Sequence, residues 1–219
     1  MSYDPPRPAG RLLLTPEDKE APARTCRLRV LGLGERAEPA LDAFAERLAE
    51  LAGAPYAMVN FIGEERQFFA GLHTRHGNGN GSADADTSAS GTGVGIGSGS
   101  GIGSGIGTGP ARRAEGAQFG LGRHMARDYG FCPHVVVRHK ALVLEDVRDY
   151  PRFAGNPVVD EFGIRSYLGA PLLDRTGIAL GTVCVTDVEP RPWGRSGLDT
   201  IKAMAAELVE QFELREGGF

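Results

Sequence analysis

Three cysteines, Cys26, Cys132 and Cys184, are all that this 219-residue chain carries, and they lie far apart. An odd, scattered set excludes a disulfide framework and favours reduced thiols, in a chain whose Pro-rich, polar opening, MSYDPPRPAG, has no character of a secretory leader. A cytoplasmic protein is the expectation. No run of about twenty apolar residues occurs, so no membrane-spanning helix and no membrane partner are expected. Charge of one sign is also scarce. Lys and Arg number 24 against 28 Asp and Glu, a net charge of −4, which gives no general attraction to nucleic acid or to an anionic membrane. Catalytic signatures are missing too: neither G-x-S-x-G nor H-E-x-x-H occurs, and no Ser/His/Asp order stands out. The chain is expected not to be an enzyme.

What is present suits one globular domain. Apolar residues at 41% and charged residues at 24% are ordinary for a packed core, and the length fits one domain better than two. Glycine, at 32, is in excess, but thirteen of these fall between Gly77 and Gly109. Residues 76–117 are therefore expected to be a Gly/Ser-rich disordered insert, too poor in apolar side chains to offset the entropy of ordering. Residues 1–27, with five prolines, alternating charges and no apolar period, are expected to be a flexible tail. The domain itself is expected over 28–216.

Inside that domain the periodicity is informative. Leu41, Phe44, Leu48 and Leu51 recur at three- and four-residue spacing within 35–53, which predicts an amphipathic helix ended by Gly53 and Pro55. PYAMVNFI and RQFFAGL read as a strand pair reversed at GEER. Residues 121–125 read as irregular or a short helical turn, 128–137 as a short helix, and 141–147 as a strand. RDYPRFAGNPVVDEFG is a loop with a helical turn, punctuated by Pro151, Pro157 and Gly163. SYLGAPLLD and ALGTVCVTD are two strands joined through DRTG. A last helix spans roughly 197–216, with Leu198, Ile201, Ala205, Leu208 and Phe212 on one stripe and Ser196 as its N-cap.

This element order, with APYAMVNFIGEERQFF, GFCPH, VLEDVRDYPRFAGNPVV, IRSYLGAPL and LGTVCVTDVEPRPW in series, resembles the GAF domain family over about 150 residues, from 35 to 216 without the insert. FCPH, RFAGNP and GTVC in that order make the resemblance specific. It implies an α+β fold: an antiparallel sheet of five or six strands, terminal helices packed on one face, and a ligand pocket under a short helix and loop on the other. It further implies a small-molecule-sensing or regulatory module that signals through a partner in trans or by dimerisation, its terminal helices pairing as a homodimer. The alternatives are a thiol-redox enzyme of the free methionine-(R)-sulfoxide reductase type, with Cys132 as nucleophile, and an interaction module without a ligand. Members of the family usually have a short loop where this chain has its insert. By loop-closure scaling, the extension to about forty residues costs only roughly 1.5–2 kcal/mol. Replacing Gly77–Gly109 with a short Gly/Ser turn is accordingly expected to leave the melting midpoint within a few degrees; loss of folding would show that the tract packs on the domain.

The candidate ligand-binding residues are Phe131, Cys132, His134, Asp146, Arg148, Phe153, Asn156, Arg165, Tyr167 and Cys184. Tyr167 and Cys184 would floor the pocket, Phe131, Cys132 and His134 would wall it, and the Asp146–Asn156 loop with Phe153 would close it. Alternation in GTVCV sets Thr182, Cys184 and Thr186 on the pocket side and Val183 and Val185 toward the helices. Packing of a short helix remains the ordinary account of Phe131 and Cys132, as does a solvated, mutually paired loop for Asp146, Arg148, Asp149 and Arg152. No metal is expected, since beyond Cys132 and His134 the donors His73, His76, His124, His139 and Cys184 are scattered. No haem or bilin is expected either, because the further pocket signatures of bilin-binding relatives are missing. The Asn-Lys, Phe, Asp-Glu pattern of cyclic-nucleotide-binding members is incomplete, with Phe153 and Asp160–Glu161 but no Asn-Lys pair. The ligand is thus left unnamed.

Overall fold

The computed structural model of the chain describes residues 15–75 and 122–216. The element order is α1 (Ala21–Val30), α2 (Pro39–Ala52), β1 (Tyr56–Ile62), β2 (Arg66–Thr74), β3 (His124–Ala126), α3 (Cys132–Arg138), β4 (Leu142–Leu144), a 3-10 turn (Val147–Asp149), α4 (Pro151–Ala154), α5 (Pro157–Glu161), β5 (Ser166–Leu173), β6 (Ala179–Asp187) and α6 (Gly194–Glu216). The strands form one six-stranded sheet in the order β3-β2-β1-β6-β5-β4, and every neighbouring pair is antiparallel. This is the expected α+β architecture. Among the described residues no helix is long and apolar enough to cross a membrane. The insert expected over 76–117 and the first fourteen residues of the expected tail lie outside the described residues.

Period-two alternation divides the sheet into two faces. Val183 and Val185 of β6 enter the main core with Ala57, Val59 and Phe61 of β1 and Leu168, Ala170 and Leu172 of β5. The helices α2 and α6 complete that core through Phe44, Leu48, Ile201, Ala205, Leu208 and Phe212, with Phe212 against Phe61 at 5.9 Å between rings. Gly53, at φ 60°, takes the left-handed conformation that ends α2, and Ala54 N–H reaches back to the Ala49 carbonyl. Leu51, expected in this core, is 59% exposed. Ala45 and Ala49 let α2 lie close on the sheet along the other edge of its stripe, which turns Leu51 outward.

Four expectations need correction. Residues 21–27 are not tail but the first turns of α1, and Arg24 is fully buried. The helix has no strong apolar stripe because ions dock it. Arg24 Nε donates to the Ala179 carbonyl at 2.6 Å and its terminal nitrogens grip both oxygens of Asp18, while Arg27 bridges Asp174 and Glu216. Residues 124–126 form the edge strand β3 rather than irregular chain, paired with Arg66–Phe68. The short helix starts at Cys132, not near Asp128, because Pro133 in its first turn presets helical φ there. The last helix begins at Gly194, so Ser196 lies inside it and caps nothing.

Candidate functional site

The face of the sheet opposite α2 and α6 is covered by α3 and by the chain from 147 to 161. Cys184 occupies the middle of this face, paired laterally with Met58 and Gly169. Gly169 matters because it has no side chain. A Cβ there would lie 2.2 Å from the Tyr167 hydroxyl, so the phenol ring lies back along its own strand into the space that glycine leaves. In that position Tyr167 Oη is 3.4 Å from Cys132 Sγ, and Cys132 Sγ is 3.7 Å from Cys184 Sγ. Cys132 and Cys184, expected at the wall and the floor of one pocket, are therefore in contact.

Aromatic edges hold this group together. Phe131 meets Phe153 at 5.7 Å and Tyr167 at 5.2 Å, and His134 meets Phe153 at 5.0 Å, all edge-on. Phe131, Cys132, His134, Phe153, Tyr167 and Cys184 are all buried. These six fill the space that the sequence reading left for a pocket, and they form a second core. A groove of about 550 Å³ does exist, but it lies elsewhere, between α6 and the β4–β5 edge, with Lys140, Val143, Leu198 and Lys202 among its lining.

The other four candidates stand apart from the cluster. Asp146 and Arg165 pair with each other, and Asp146 also accepts from Arg148 N–H at 3.1 Å, capping the 3-10 turn. The Arg165 hydrogen bond holds the Asp146 carboxyl below its ordinary range. Arg148 is exposed. Asn156 bonds both backbone groups of Gly130 at 2.9 Å and caps α5 through Val158 N–H, so it ties the cover to the entry of α3. The side chains of Asp146, Arg165 and Asn156 are thus satisfied by the backbone or by each other.

Sequence reasoning passed over a buried polar set on the same face. Asn60 donates to Gln67 at 2.7 Å, and Gln67 in turn donates to the Tyr129 carbonyl at 2.6 Å just before α3. Among the described residues, Asn60 Oδ1, Thr182 Oγ1, Thr186 Oγ1 and His134 Nδ1 on this face are buried without a hydrogen-bond partner, as is Ser166 Oγ on the opposite face. The signal was an Asn inside an otherwise apolar strand, YAMVNFI, and threonines alternating with valines in β6.

The electrostatics of the cluster follow from this packing. Hydrogen bonding from the Cys184 thiol brings the Cys132 thiol down to about 6 against the opposing effect of burial, with the Tyr167 hydroxyl assisting. Two adjacent thiols do not both ionise, so Cys184 is pushed well up by its bond to Cys132 and by burial. Burial, then the neighbouring sulfurs, push Tyr167 up as well. His134 is held down to about 4, first by burial and then by the charges of Arg152 and Arg138. Its folded value lies below its unfolded value of 6.5, so between these values the unfolded chain binds the extra proton. Stability from this group is full above about pH 6.5 and is lost progressively toward about pH 4. In His134→Phe, which keeps an aromatic ring beside Phe153 without a titrating group, the decline of the melting midpoint across that window should be shallower. An unchanged decline would mean that His134 takes up its proton as readily in the fold as in the unfolded chain.

The fold and this covered face define a sheet-and-helix module built around one core and a second, partly polar one. The sequence model of the GAF domain matches residues 36–211, and the chain belongs to the GAF domain family. A cyclic di-GMP phosphodiesterase of Pseudomonas aeruginosa is 40% identical over 77 residues, a match spanning 34% of this chain and 13% of that protein. Among solved structures, the GAF domain of an Acinetobacter phosphoenolpyruvate-protein phosphotransferase superposes with a TM-score of 0.51 at 11% identity, covering 92% of this chain and 97% of that one. A free methionine-R-sulfoxide reductase of Neisseria meningitidis in complex with its substrate gives 0.50 at 13% identity, covering 93% and 96%. A far-red cyanobacteriochrome photoreceptor gives 0.52 at 11% identity, covering 89% and 94%. At these identities the likeness is one of fold. Domains of this family are commonly sensory or regulatory.

Proposed function

We propose that this chain is a non-catalytic sensory module that receives a small molecule between the sheet and the α3–α5 cover and passes its state to a partner. The observation that carries the reading is the set of unpartnered polar atoms on the covered face: Asn60 Oδ1, Thr182 Oγ1, Thr186 Oγ1 and His134 Nδ1. A buried polar atom without a partner costs about 1–3 kcal/mol, and four of them facing one cover are costly unless something else satisfies them. The cover is suited to opening. It consists of a seven-residue helix and turns of three to five residues, and such short elements open at the lowest cost in a fold. The ligand would be a small, mainly apolar molecule with a few hydrogen-bonding groups, and no resident metal, haem or bilin is part of the reading.

The partial likeness to a much longer cyclic di-GMP phosphodiesterase supports a place in signalling, with output through a protein in trans or through self-association. Ile201, Ala205, Leu208 and Phe212 of α6 are engaged in the chain's own core, so pairing of two copies through this helix would use its groove side, at Lys202 and Ala206. Reduced Cys132 and Cys184 suit a cytoplasmic setting. A native mass spectrum of the freshly purified chain reports ligand and oligomer together. The expected result is a mass above that of the chain by one small molecule, lost in Thr182→Val, which removes a hydroxyl while keeping the shape. A bare mass, together with a raised melting midpoint in Thr182→Val, would instead identify the unpartnered atoms as a tolerated defect of a second core.

A further inference from the structure

We propose that Cys132 and Cys184 form a redox modification site, closed to an intrachain disulfide by a hydroperoxide and reopened by a dithiol. The two sulfurs are 3.7 Å apart with no side chain between them, and disulfide sulfurs lie about 2.05 Å apart. The remaining approach falls to α3. Cys184 is fixed in β6, which is paired on both sides, whereas Cys132 opens a helix of seven residues held by turns. The two thiols differ in their access. Cys132 is 6% exposed and Cys184 1%, so a small oxidant meets Cys132 first. The lowered thiol of Cys132 gives it the more nucleophilic sulfur of the two at neutral pH. Tyr167 Oη at 3.4 Å supplies a donor to that sulfur. The third cysteine, Cys26, lies exposed on α1 and takes no part.

The chemistry balances with one hydroperoxide per disulfide. The Cys132 thiolate attacks the terminal peroxide oxygen, the O–O bond breaks, and the departing alkoxide takes up the proton released from that thiol as an alcohol. The Cys184 sulfur then attacks the sulfenic sulfur of Cys132. An S–S bond forms, the S–O bond breaks, and hydroxide leaves with the Cys184 proton as water. The two sulfurs lose two electrons and the peroxide gains them. Thiol–disulfide exchange with a dithiol reverses the change.

Closure has a structural consequence. Phe131 and His134 border the first turn of α3 and both touch Phe153, so movement of that turn reaches the α4 cover. This chemistry stands whether or not the same cover admits a ligand.

The test uses the full chain carrying Cys26→Ser, folded and treated with hydrogen peroxide, then denatured, alkylated and mapped by peptide mass spectrometry. The expected product is the Cys132 peptide joined to the Cys184 peptide with the loss of two hydrogens, reversed by dithiothreitol. In Cys184→Ser, dimedone should label Cys132 as the sulfenic acid, and in Cys132→Ser no label should appear on Cys184. Full alkylation of both thiols after peroxide overturns the proposal. So does a crosslink that forms only when the oxidation is run in urea, because that would place the reactive pair in the unfolded chain.

Discussion

Replacing Asp18 with alanine is expected to cost the fold about 3–5 kcal/mol, measured by denaturant unfolding. Asp18 lies in the chain just before α1, and its side chain is 3% exposed. Both its oxygens bind the Arg24 guanidinium, at 2.6 and 2.9 Å, and Arg127 adds a third bond at 2.7 Å. Arg24 is fully buried against β6, so deleting the carboxylate leaves a full charge in the interior with only the Ala179 carbonyl to meet it. The large cost comes from that uncompensated charge rather than from the worth of the pair. Asp18→Ala combined with Arg24→Met should therefore recover most of the loss, since an apolar side chain of similar length can occupy the slot. A loss below about 1 kcal/mol for Asp18→Ala would mean that α1 is not docked in solution.

The same pair gives an acid signature. Burial alone would raise the Asp18 carboxyl, but the Arg24 and Arg127 guanidiniums hold it below its ordinary value. With the folded value depressed, the unfolded chain binds the proton first, so this stability is present above the ordinary carboxylate range near pH 4 and is lost as the pH falls through it. The loss lies at more acid pH than the window of His134, which separates the two groups in a titration of stability.

How far the chain was legible depends on what kind of force positions each element. α2, α6 and the six strands but one announce themselves through apolar period, because burial of one face is what holds them. β6 was read to the residue, and its alternation placed Cys184 opposite Val183 and Val185 correctly. α1 was not legible, because it docks through Arg24 and Arg27, and a charged helix beside prolines looks like a tail until its acidic partners at 18, 174 and 216 are known. β3 was hidden for a related reason. His124–Ala126 gains its strand only from pairing with β2 across the insert, a non-local contact that no local pattern reports. At the site, the sequence placed the aromatic and sulfur residues around one space, and the structure brings them together there. The charged and amide residues stand apart from them. Asp146, Asn156 and Arg165 have the chemistry of ligand contacts, but turn capping uses the same chemistry, and only geometry separates the two.

Tyr167→Ala should be the most damaging change on the covered face, with an expected loss of about 3–5 kcal/mol. Tyr167 is 1% exposed, its ring meets Phe131 at 5.2 Å, and its hydroxyl reaches Cys132 Sγ. Truncation removes a whole ring from the space over Gly169, and the neighbours cannot collapse into it. Cys184 is fixed in a central strand, and Phe131 is already held edge-on by Phe153. Tyr167→Phe separates packing from polarity. It keeps the ring and removes only the hydroxyl, so about 1 kcal/mol is expected, with the Cys132 thiol rising toward its ordinary value because one stabilising donor is gone. Alkylation rates against pH read that rise directly. If Tyr167→Ala instead costs about 1 kcal/mol or less, the ring does not support a second core, and the cover must already be open in solution with Tyr167 at the floor of an accessible site. The two outcomes assign the covered face to different resting states: closed and opened by what it receives, or open and closed around it.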